Sequence, residues 1–246
     1  MFHFLNVTSG SKGNMSIIYN EDSCLVIDFG VTKKAFLDGL KKCKKEEKDV
    51  DAFLFTHDHG DHIKGIDFAP IEKCFSVKNV IYGSPNHDLK PYETYAFGSI
   101  NVTILETSHD ASNSCGFLFE DEDMSVAYIT DTGTLNNSTL EIIRGKNYYY
   151  FESNYDDEML RLSGRPQVLI NRIKSKKGHL SNKKSAETLL NLVNSNTKKV
   201  VLCHLSEECN DPKVAVDTHE EIWHSLDENK NIELICAKQR EATKIC

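Results

Sequence analysis

Short runs of apolar residues, many of them β-branched or aromatic, recur along the chain and are typical of buried β-strands. Polar turns and segments with helical spacing separate these runs, and no Pro- or Gly-rich linker interrupts them. This mixture predicts a layered α/β architecture. The predicted strands are Cys24 to Asp28, Asp51 to Thr56, Val80 to Tyr82, Ile100 to Leu105, Ser125 to Thr130, Tyr148 to Phe151, Val200 to Cys203 and Ile232 to Cys236.

Two segments have the spacing of amphipathic helices, Thr32 to Lys45 and Ser181 to Asn194. Thr32 and Ser181 are suitable N-caps, because a hydroxyl can accept a hydrogen bond from the first turn. Chains of 246 residues with an α/β pattern often form one domain, so we expect a single domain over residues 1–246. The residues expected on the apolar faces are Phe36, Leu37, Leu40 and Cys43 in the first helix, and Ala186, Leu189, Leu190 and Val193 in the second.

Composition narrows the class of protein. Hydrophobic residues make up 39% of the chain, and no stretch approaches the roughly 20 apolar residues that cross a bilayer, so we expect a soluble protein with no membrane partner. The start, Met1 to Val7, lacks the basic region and long apolar run of a secretory signal, which favours a cytoplasmic location. The eight cysteines are scattered without a C-x-x-C pair, so we interpret them as reduced, mostly structural thiols.

The formal net charge of -8 argues against a protein that coats nucleic acid by bulk electrostatics. One local segment differs, because Arg172 to Lys184 carries only cations among its charged residues and surrounds His179. A second basic run, Lys41 to Lys45, closes the first predicted helix, where cations suit the helix dipole, and we interpret it as a solvated face. The cations of the first segment are Arg172, Lys174, Lys176, Lys177, Lys183 and Lys184.

A dense group of metal-ligand residues follows the strand Asp51 to Thr56. His57, His59, Asp61 and His62 fall within six residues. Alternate residues of an extended segment point the same way, so His57 and His59 can chelate one ion while Asp61 and His62 face a second. Buried imidazoles and carboxylates need partners, and a pair of metal ions satisfies all four.

Three further predicted strands also end in ligand-type residues. His109 follows the strand from Ile100, Asp131 follows the one from Ser125, and His204 follows Cys203. In open α/β sheets the functional crevice lies beyond the carboxyl ends of the strands. Seven ligands for two ions leave positions for water, which favours a hydrolytic enzyme over a binding module with a structural metal. His and Asp without Cys suit Zn, Mn or Fe.

The order His57-x-His59-x-Asp61-His62, His109, Asp131, His204 resembles the metallo-β-lactamase superfamily over nearly the full chain. The resemblance implies an αββα four-layer sandwich. Within the superfamily the chain is most similar to the YycJ/WalJ-type hydrolases. The segments that carry this closer likeness are Ser9 to Asn14, Glu152-Ser153-Asn154, Met159-Leu160, Gly178 to Asn182, and His204-Leu205-Ser206 with Asn210. One departure is Asp156-Asp157, which stand where a histidine is expected next to the Glu-Ser-Asn triplet.

The resemblance also implies roles for single residues. His57, His59 and His109 would hold one divalent ion. Asp61, His62 and His204 would hold the other, with Asp131 bridging the two ions. Asp28 would be the carboxylate that orients a ligand, and its alternative interpretation is an ordinary turn residue. The family is understood to cleave phosphodiesters, with nuclease activity on DNA proposed for its members.

The predicted mechanism uses a hydroxide that bridges the two metal ions and attacks phosphorus. Asp61 and His179 are the predicted catalytic residues, with His179 as general acid or as an imidazolium contact to phosphate. An exposed loop histidine is the alternative for His179. Lys174, Lys176 and Lys177 are the predicted substrate-binding residues.

We therefore expect an exonuclease-like phosphodiesterase with DNA as its partner. The main alternative is hydrolysis of small cyclic nucleotides or cyclic phosphates, which net acidity favours. A thioester or β-lactam hydrolase is a more distant alternative, because one fold hosts several activities. A homodimer stays open.

His219 and His224 superficially suggest a zinc-binding helix. Their spacing of five places them on different faces, which argues against such a helix, and we expect both to be surface or strand-end histidines.

Overall fold

The computed structural model of the protein describes residues 1–224 and 231–246. Its contacts divide the chain into two compact units. The first contains Met1–Leu105, Ala111–Met124 and Ala237–Cys246, and the second contains Glu106–Asp110 and Ser125–Cys236. The single domain over residues 1–246 stays a prediction.

The first unit contains a mixed sheet in the order β14-β1-β2-β3-β4-β5-β6. Strands β1 to β3 pair antiparallel, and β3 to β6 pair parallel. The strands of this unit are β1 (His3–Thr8), β2 (Met15–Tyr19), β3 (Cys24–Ile27), β4 (Ala52–Phe55), β5 (Cys74–Val77), β6 (Asn86–Leu89), β7 (Thr94–Phe97), β8 (Ile100–Glu106), β9 (Cys115–Glu120) and β14 (Thr243–Lys244), and its α-helices are α1 (Lys33–Lys42) and α2 (Gly60–Ile63).

Strands β3 and β4 place the first candidate site residues. All residues of both strands are buried, as expected for parallel strands covered on both faces. Ile27 pairs with Leu54, so both strands end at the same level. Asp28 and Thr56 therefore lie side by side just beyond the sheet.

The second unit contains four parallel strands in the order β13-β12-β11-β10. Helices follow the strands, as crossover connections between parallel strands require. Its strands are β10 (Ser125–Ile129), β11 (Tyr148–Glu152), β12 (Lys199–Cys203) and β13 (Glu233–Cys236), and its helices are α3 (Asn137–Ile143), α4 (Asp157–Leu162), α5 (Gln167–Lys174), α6 (Asn182–Leu190) and α7 (Pro212–Trp223).

The predicted N-caps are confirmed. The Thr32 hydroxyl accepts from the Ala35 N–H at the start of α1, and the Ser181 hydroxyl accepts from the Lys184 N–H at the start of α6. Leu37 of the predicted apolar face is 40% exposed. The prediction that Leu37 lies on the buried apolar face of α1 was therefore wrong.

All the predicted strands are confirmed except Val80 to Tyr82, which is a turn. Val80 and Ile81 are buried there because the turn packs inward, so burial and not strand pairing explains their apolar character.

The expectation of a surface position for His219 was also wrong, since His219 lies fully buried in α7. Among the described residues no helix is long and apolar enough to cross a membrane.

Candidate metal centre

The first unit brings His57, His59 and His62 together. The ring centroids of His57 and His59 lie 4.7 Å apart, and those of His57 and His62 lie 4.0 Å apart. His57 and His62 are buried. The first turn of α2 contributes Asp61, whose carboxylate oxygen lies 3.6 Å from His62 Nε2. Asp58 is directed elsewhere, because its carboxylate accepts from the backbone and hydroxyl of Ser112.

Asp28 forms a hydrogen bond with the Nδ1 atom of His62. Its Oδ2 lies 2.7 Å from His62 Nδ1, and its Oδ1 accepts from the Thr56 N–H at 2.8 Å. The Thr56 hydroxyl lies 3.0 Å from His57 Nδ1 and contacts the same carboxylate. If His62 Nδ1–H donates to Asp28, His62 Nε2 carries the lone pair that a metal ion needs. The sequence predicts Asp28 as the carboxylate that orients a ligand, and the side chain that it contacts is His62; Thr56 was not predicted.

The turn Ser9 to Asn14 packs against this loop. Asn14 Nδ2 lies 2.9 Å from His62 Nε2, and the Asn14 backbone N–H donates to the Asp61 carbonyl oxygen at 2.8 Å. Gly30 accepts no side chain here, because an added Cβ would lie 1.6 Å from the Asp61 carbonyl oxygen. The position of Asp61 is therefore set by backbone contacts from two separate turns.

The second unit gathers its site residues at the carboxyl ends of β10, β11 and β12. The register pairs Ile129 with Phe151, and Phe151 with Leu202. Asp131, Glu152 and His204 therefore lie at nearly the same level of the sheet. His204 Nδ1 lies 3.3 Å from Asp131 Oδ1.

Three of these strand-end residues have left-handed backbones. The φ angles are 57° at Asp28, 51° at Asp131 and 54° at His204. Non-glycine residues adopt this region at a cost, and such residues are concentrated at functional sites. The conformation turns the chain sharply at the end of each strand, and Asn154 fixes one of these turns by donating to the His204 carbonyl oxygen at 2.7 Å.

Glu152 is the site residue that sequence reasoning missed. It is fully buried, and its Oε1 lies 2.7 Å from His179 Nδ1 and 3.1 Å from His204 Nδ1. Its Oε2 accepts from the Thr132 N–H at 2.9 Å. Burial opposes the charged form, but the charge of His179 and the two imidazole hydrogen bonds hold the pKa of Glu152 below its usual value. The available signal was its position, because Glu152 is the last residue of β11, and Asp131 follows the end of β10 by two residues.

His179 and His109 complete the group in the second unit. Their ring centroids lie 5.0 Å apart, and those of His179 and His204 lie 5.4 Å apart. His109 Nδ1 can donate to the Gly178 carbonyl oxygen at 3.1 Å. Burial lowers the pKa of His109 against the opposing charge of Asp131, which favours the neutral imidazole that a metal ion binds.

The donor set of the second unit fits a divalent ion, and the first unit supplies donors of the same chemical types. In the second unit one ligand atom from each of Asp131, Glu152, His179 and His204 lies within 4.8 Å of the others. In the first unit three imidazoles and the carboxylate of Asp61 crowd one loop. Imidazole and carboxylate are the ligand types of Zn, Mn and Fe sites.

The predicted substrate-binding lysines occupy the end of α5 and the loop after it. Lys174, Lys176 and Lys177 are all exposed, but Lys174 Nζ lies 2.7 Å from Asp157. Arg172 pairs with Asp110. The segment Arg172 to Lys184 contains no acidic residue, but acidic residues from other parts of the chain form ion pairs with two of its cations.

Comparison with known proteins agrees with this organisation. A family model described as "Beta-lactamase superfamily domain" matches residues 26–205. Exodeoxyribonuclease YycJ of Bacillus anthracis is 33% identical over 226 residues, which are 87% of this chain and 86% of that protein. Exodeoxyribonuclease WalJ of Streptococcus pneumoniae serotype 2 is 32% identical over 229 residues, 87% of this chain and 85% of that protein.

The crystal structure of the metallo-β-lactamase fold protein YhfI from Bacillus subtilis superimposes with a TM-score of 0.71 at 15% identity, covering 99% of this chain and 98% of YhfI. This likeness confirms the α/β fold of the metallo-β-lactamase type. The protein therefore belongs to the metallo-β-lactamase superfamily of hydrolases and, within it, to the family of YycJ and WalJ.

Proposed function

We propose that the protein is a metal-dependent phosphodiesterase that removes nucleotides from DNA ends. The observation that carries the proposal is the imidazole of His179, which a buried carboxylate orients beside Asp131. The relatives YycJ and WalJ, which are named exodeoxyribonucleases, support DNA as the substrate.

The proposed ligands are those that the sequence predicts. His57, His59 and His109 would hold one divalent ion, Asp61, His62 and His204 would hold a second, and Asp131 would be a ligand of both. When bound, the two ions lower the pKa of a water molecule to near neutrality and offset the negative charge of the phosphoryl oxygens.

The chain's own residues orient ligands and supply a proton. Asp28 accepts from His62 Nδ1 and so directs His62 Nε2 outward. Glu152 accepts from His179 Nδ1, which leaves Nε2–H of the imidazolium for the leaving oxygen. The oxygen of the water molecule forms a new bond to phosphorus as the P–O bond of the DNA breaks. The departing alkoxide takes the proton of His179, and a proton from the next water molecule restores the imidazolium.

Hydrolysis of a small cyclic nucleotide is the second candidate. The charge of -8 and the ion pair of Lys174 with Asp157 favour it, because both weaken attraction for an extended polyanion. A cyclic mononucleotide carries a single phosphodiester and needs little basic surface.

The deciding experiment compares substrates on one preparation. Purified protein reconstituted with Zn, Mn or Fe(II) is incubated with linear DNA, covalently closed circular DNA, RNA and cyclic mononucleotides. The proposal expects mononucleotide release from linear DNA and no cleavage of the closed circle. Cleavage of cyclic mononucleotides alone would establish the second candidate, and nicking of the circle would contradict action from ends.

A further inference from the structure

The first unit contains a pocket of about 340 Å³ with a basic lining. We call it the basic pocket. Its cationic side chains outnumber its acids, because among the described residues its lining contains a single carboxylate, Asp38, which lies 2.7 Å from the Nζ of Lys34. The cations that line it are Lys12, Lys42, Lys64 and Arg240.

The basic pocket is built from four segments that are distant in sequence and held together by specific contacts. The Thr8 hydroxyl lies 3.1 Å from the Gly13 carbonyl oxygen and 2.6 Å from the Gln239 carbonyl oxygen. One side chain thus joins the turn that carries Lys12 to the segment that carries Arg240. The cations lie on walls whose backbone positions are fixed.

The third wall is one face of α1, a helix of ten residues, from its N-cap Thr32 past Ala35 and Gly39 to Lys42. Ala35 has a small side chain and Gly39 has none, which leaves room along this face. Lys42 is the last residue of the helix and is the cation that this wall contributes. The partial positive charge of the helix dipole adds to the field only at the end near Thr32.

The fourth wall adjoins the candidate ligand loop. Lys64 is the C-cap of α2 and comes two residues after His62. Gly30, on the same wall, donates its N–H to the Asn14 carbonyl oxygen, and Asn14 in turn contacts Asp61. An anion in the basic pocket would therefore lie against the elements that position two proposed metal ligands.

We propose that the basic pocket binds a phosphate group, and that this phosphate belongs to a nucleotide of the DNA strand remote from the cleaved bond. The assignment of this phosphate to a DNA strand rests on the proposed function. Four cations around one concavity of a protein with net charge -8 form a local attractive site for a polyanion. A phosphate with part of its nucleotide fits the volume, and the phosphate anchors the strand relative to the ligand loop.

The test compares two triple variants with the same loss of charge. The pocket variant is Lys42→Gln, Lys64→Gln and Arg240→Gln. The control variant is Lys33→Gln, Lys48→Gln and Lys213→Gln, three exposed cations that pair with acids outside the pocket. Binding of a nuclease-resistant phosphorothioate oligodeoxynucleotide is followed by fluorescence anisotropy at several salt concentrations, and binding of inorganic phosphate is followed by titration calorimetry.

The proposal expects the pocket variant to bind the oligonucleotide about 10-fold more weakly, with a salt slope smaller by roughly 0.7 for each phosphate of the single strand that the variant no longer neutralises. The affinity for inorganic phosphate is also lower in the pocket variant. The control variant keeps the wild-type affinity for the oligonucleotide and for phosphate. Loss of phosphate binding with unchanged oligonucleotide binding would assign the pocket to a free phosphate compound and overturn the DNA clause. Equal behaviour of the two variants would overturn the proposal.

Failure of the nuclease proposal gives a different result. Wild-type protein would then leave linear DNA uncut while the calorimetric difference between the two variants persisted. Thermal unfolding midpoints show whether each variant is folded, and the substituted side chains are all exposed.

Discussion

At the scale of single residues, the second unit is organised by one buried carboxylate. Glu152 contacts two histidines through one oxygen and backbone N–H groups through the other. In the proposed mechanism Glu152 is a positioning residue, because it would act through His179 and His204. The sequence suggested His179 and His204 separately. Their common partner, Glu152, could be identified only from the pairing of the parallel strands in the structure.

We expect Glu152→Gln to lower the rate of phosphodiester cleavage by about 10- to 100-fold, the range for residues that orient ligands. The amide keeps the shape but removes the charged acceptor that orients His179. The loss should be greatest for substrates whose leaving group has a high pKa, since such a leaving group depends most on an oriented proton donor. Glu158→Gln, on exposed α4, is the matched control. Equal losses on an activated aryl phosphodiester and on DNA would show that Glu152 is only structural.

We expect Asp131→Ala to lower the metal content below that of the wild type and to abolish activity, because the proposed bridging carboxylate serves both ions. Elemental analysis of purified protein checks this directly. Asp67→Ala, at an exposed position, should retain wild-type content. Full metal content and turnover in Asp131→Ala would remove this residue from the centre.

At the scale of elements, the loop between β4 and α2 has little freedom. We expect Gly30→Ala to lower the free energy of unfolding by about 2 kcal/mol, within the usual range for overpacking, since its Cβ would lie 1.6 Å from the Asp61 carbonyl oxygen. Gly60→Ala, at the first residue of α2, is the control, because nothing lies within 4 Å of its Cβ. Chemical denaturation of both variants measures the difference. Equal stabilities would show that the Asp61 backbone can move.

Helix α7 contains a buried titratable group. His219 Nδ1–H donates to the Ala215 carbonyl oxygen, and Nε2 accepts from the Ser185 hydroxyl, so the neutral ring has both nitrogens hydrogen-bonded. Burial lowers the pKa of His219 from 6.5 to about 4. The unfolded chain therefore binds a proton more readily than the folded chain between these values, and stability rises with pH across this window.

We expect this histidine to stabilise the fold above pH 6.5 and to lose up to about 3 kcal/mol of that contribution as the pH falls toward 4. His219→Gln should remove this part of the slope of unfolding free energy against pH. His224→Gln, at the exposed end of α7, should keep it. A slope in His219→Gln equal to that of the wild type would contradict the prediction.

The elements that sequence reasoning predicted well are those whose local signals agree with their packing. Strands β3, β4, β10 and β12 are continuous apolar runs, and each is followed by a ligand-type residue or its partner. Val80 to Tyr82 has the same apolar character, but it is buried as a turn, so periodicity could not separate the two cases. The position predicted for His219 was wrong for a related reason, because Ser185, which forms a hydrogen bond with its ring, lies 34 residues away in the sequence.

At the scale of the whole molecule, the charge of -8 opposes the approach of DNA, so any attraction must be local. The sequence identified one basic segment but could not show that Asp157 and Asp110 approach it from other elements. Lys176 and Lys177 are the exposed cations of this segment in the loop directly after α5.

We expect the double variant Lys176→Gln, Lys177→Gln to weaken DNA binding and to reduce the salt slope by roughly 0.9 for each duplex phosphate that is no longer neutralised. Adding Lys174→Gln should change little more, because Lys174 already pairs with Asp157. Hydrolysis of a small phosphodiester should be unaffected, since such a substrate does not extend to the loop. The measurement is DNA affinity against salt for the double and triple variants, with Lys198→Gln, Lys213→Gln as the control of equal charge. If the double variant keeps the wild-type slope, the loop is a solvated surface, and the cyclic-nucleotide function becomes the better proposal.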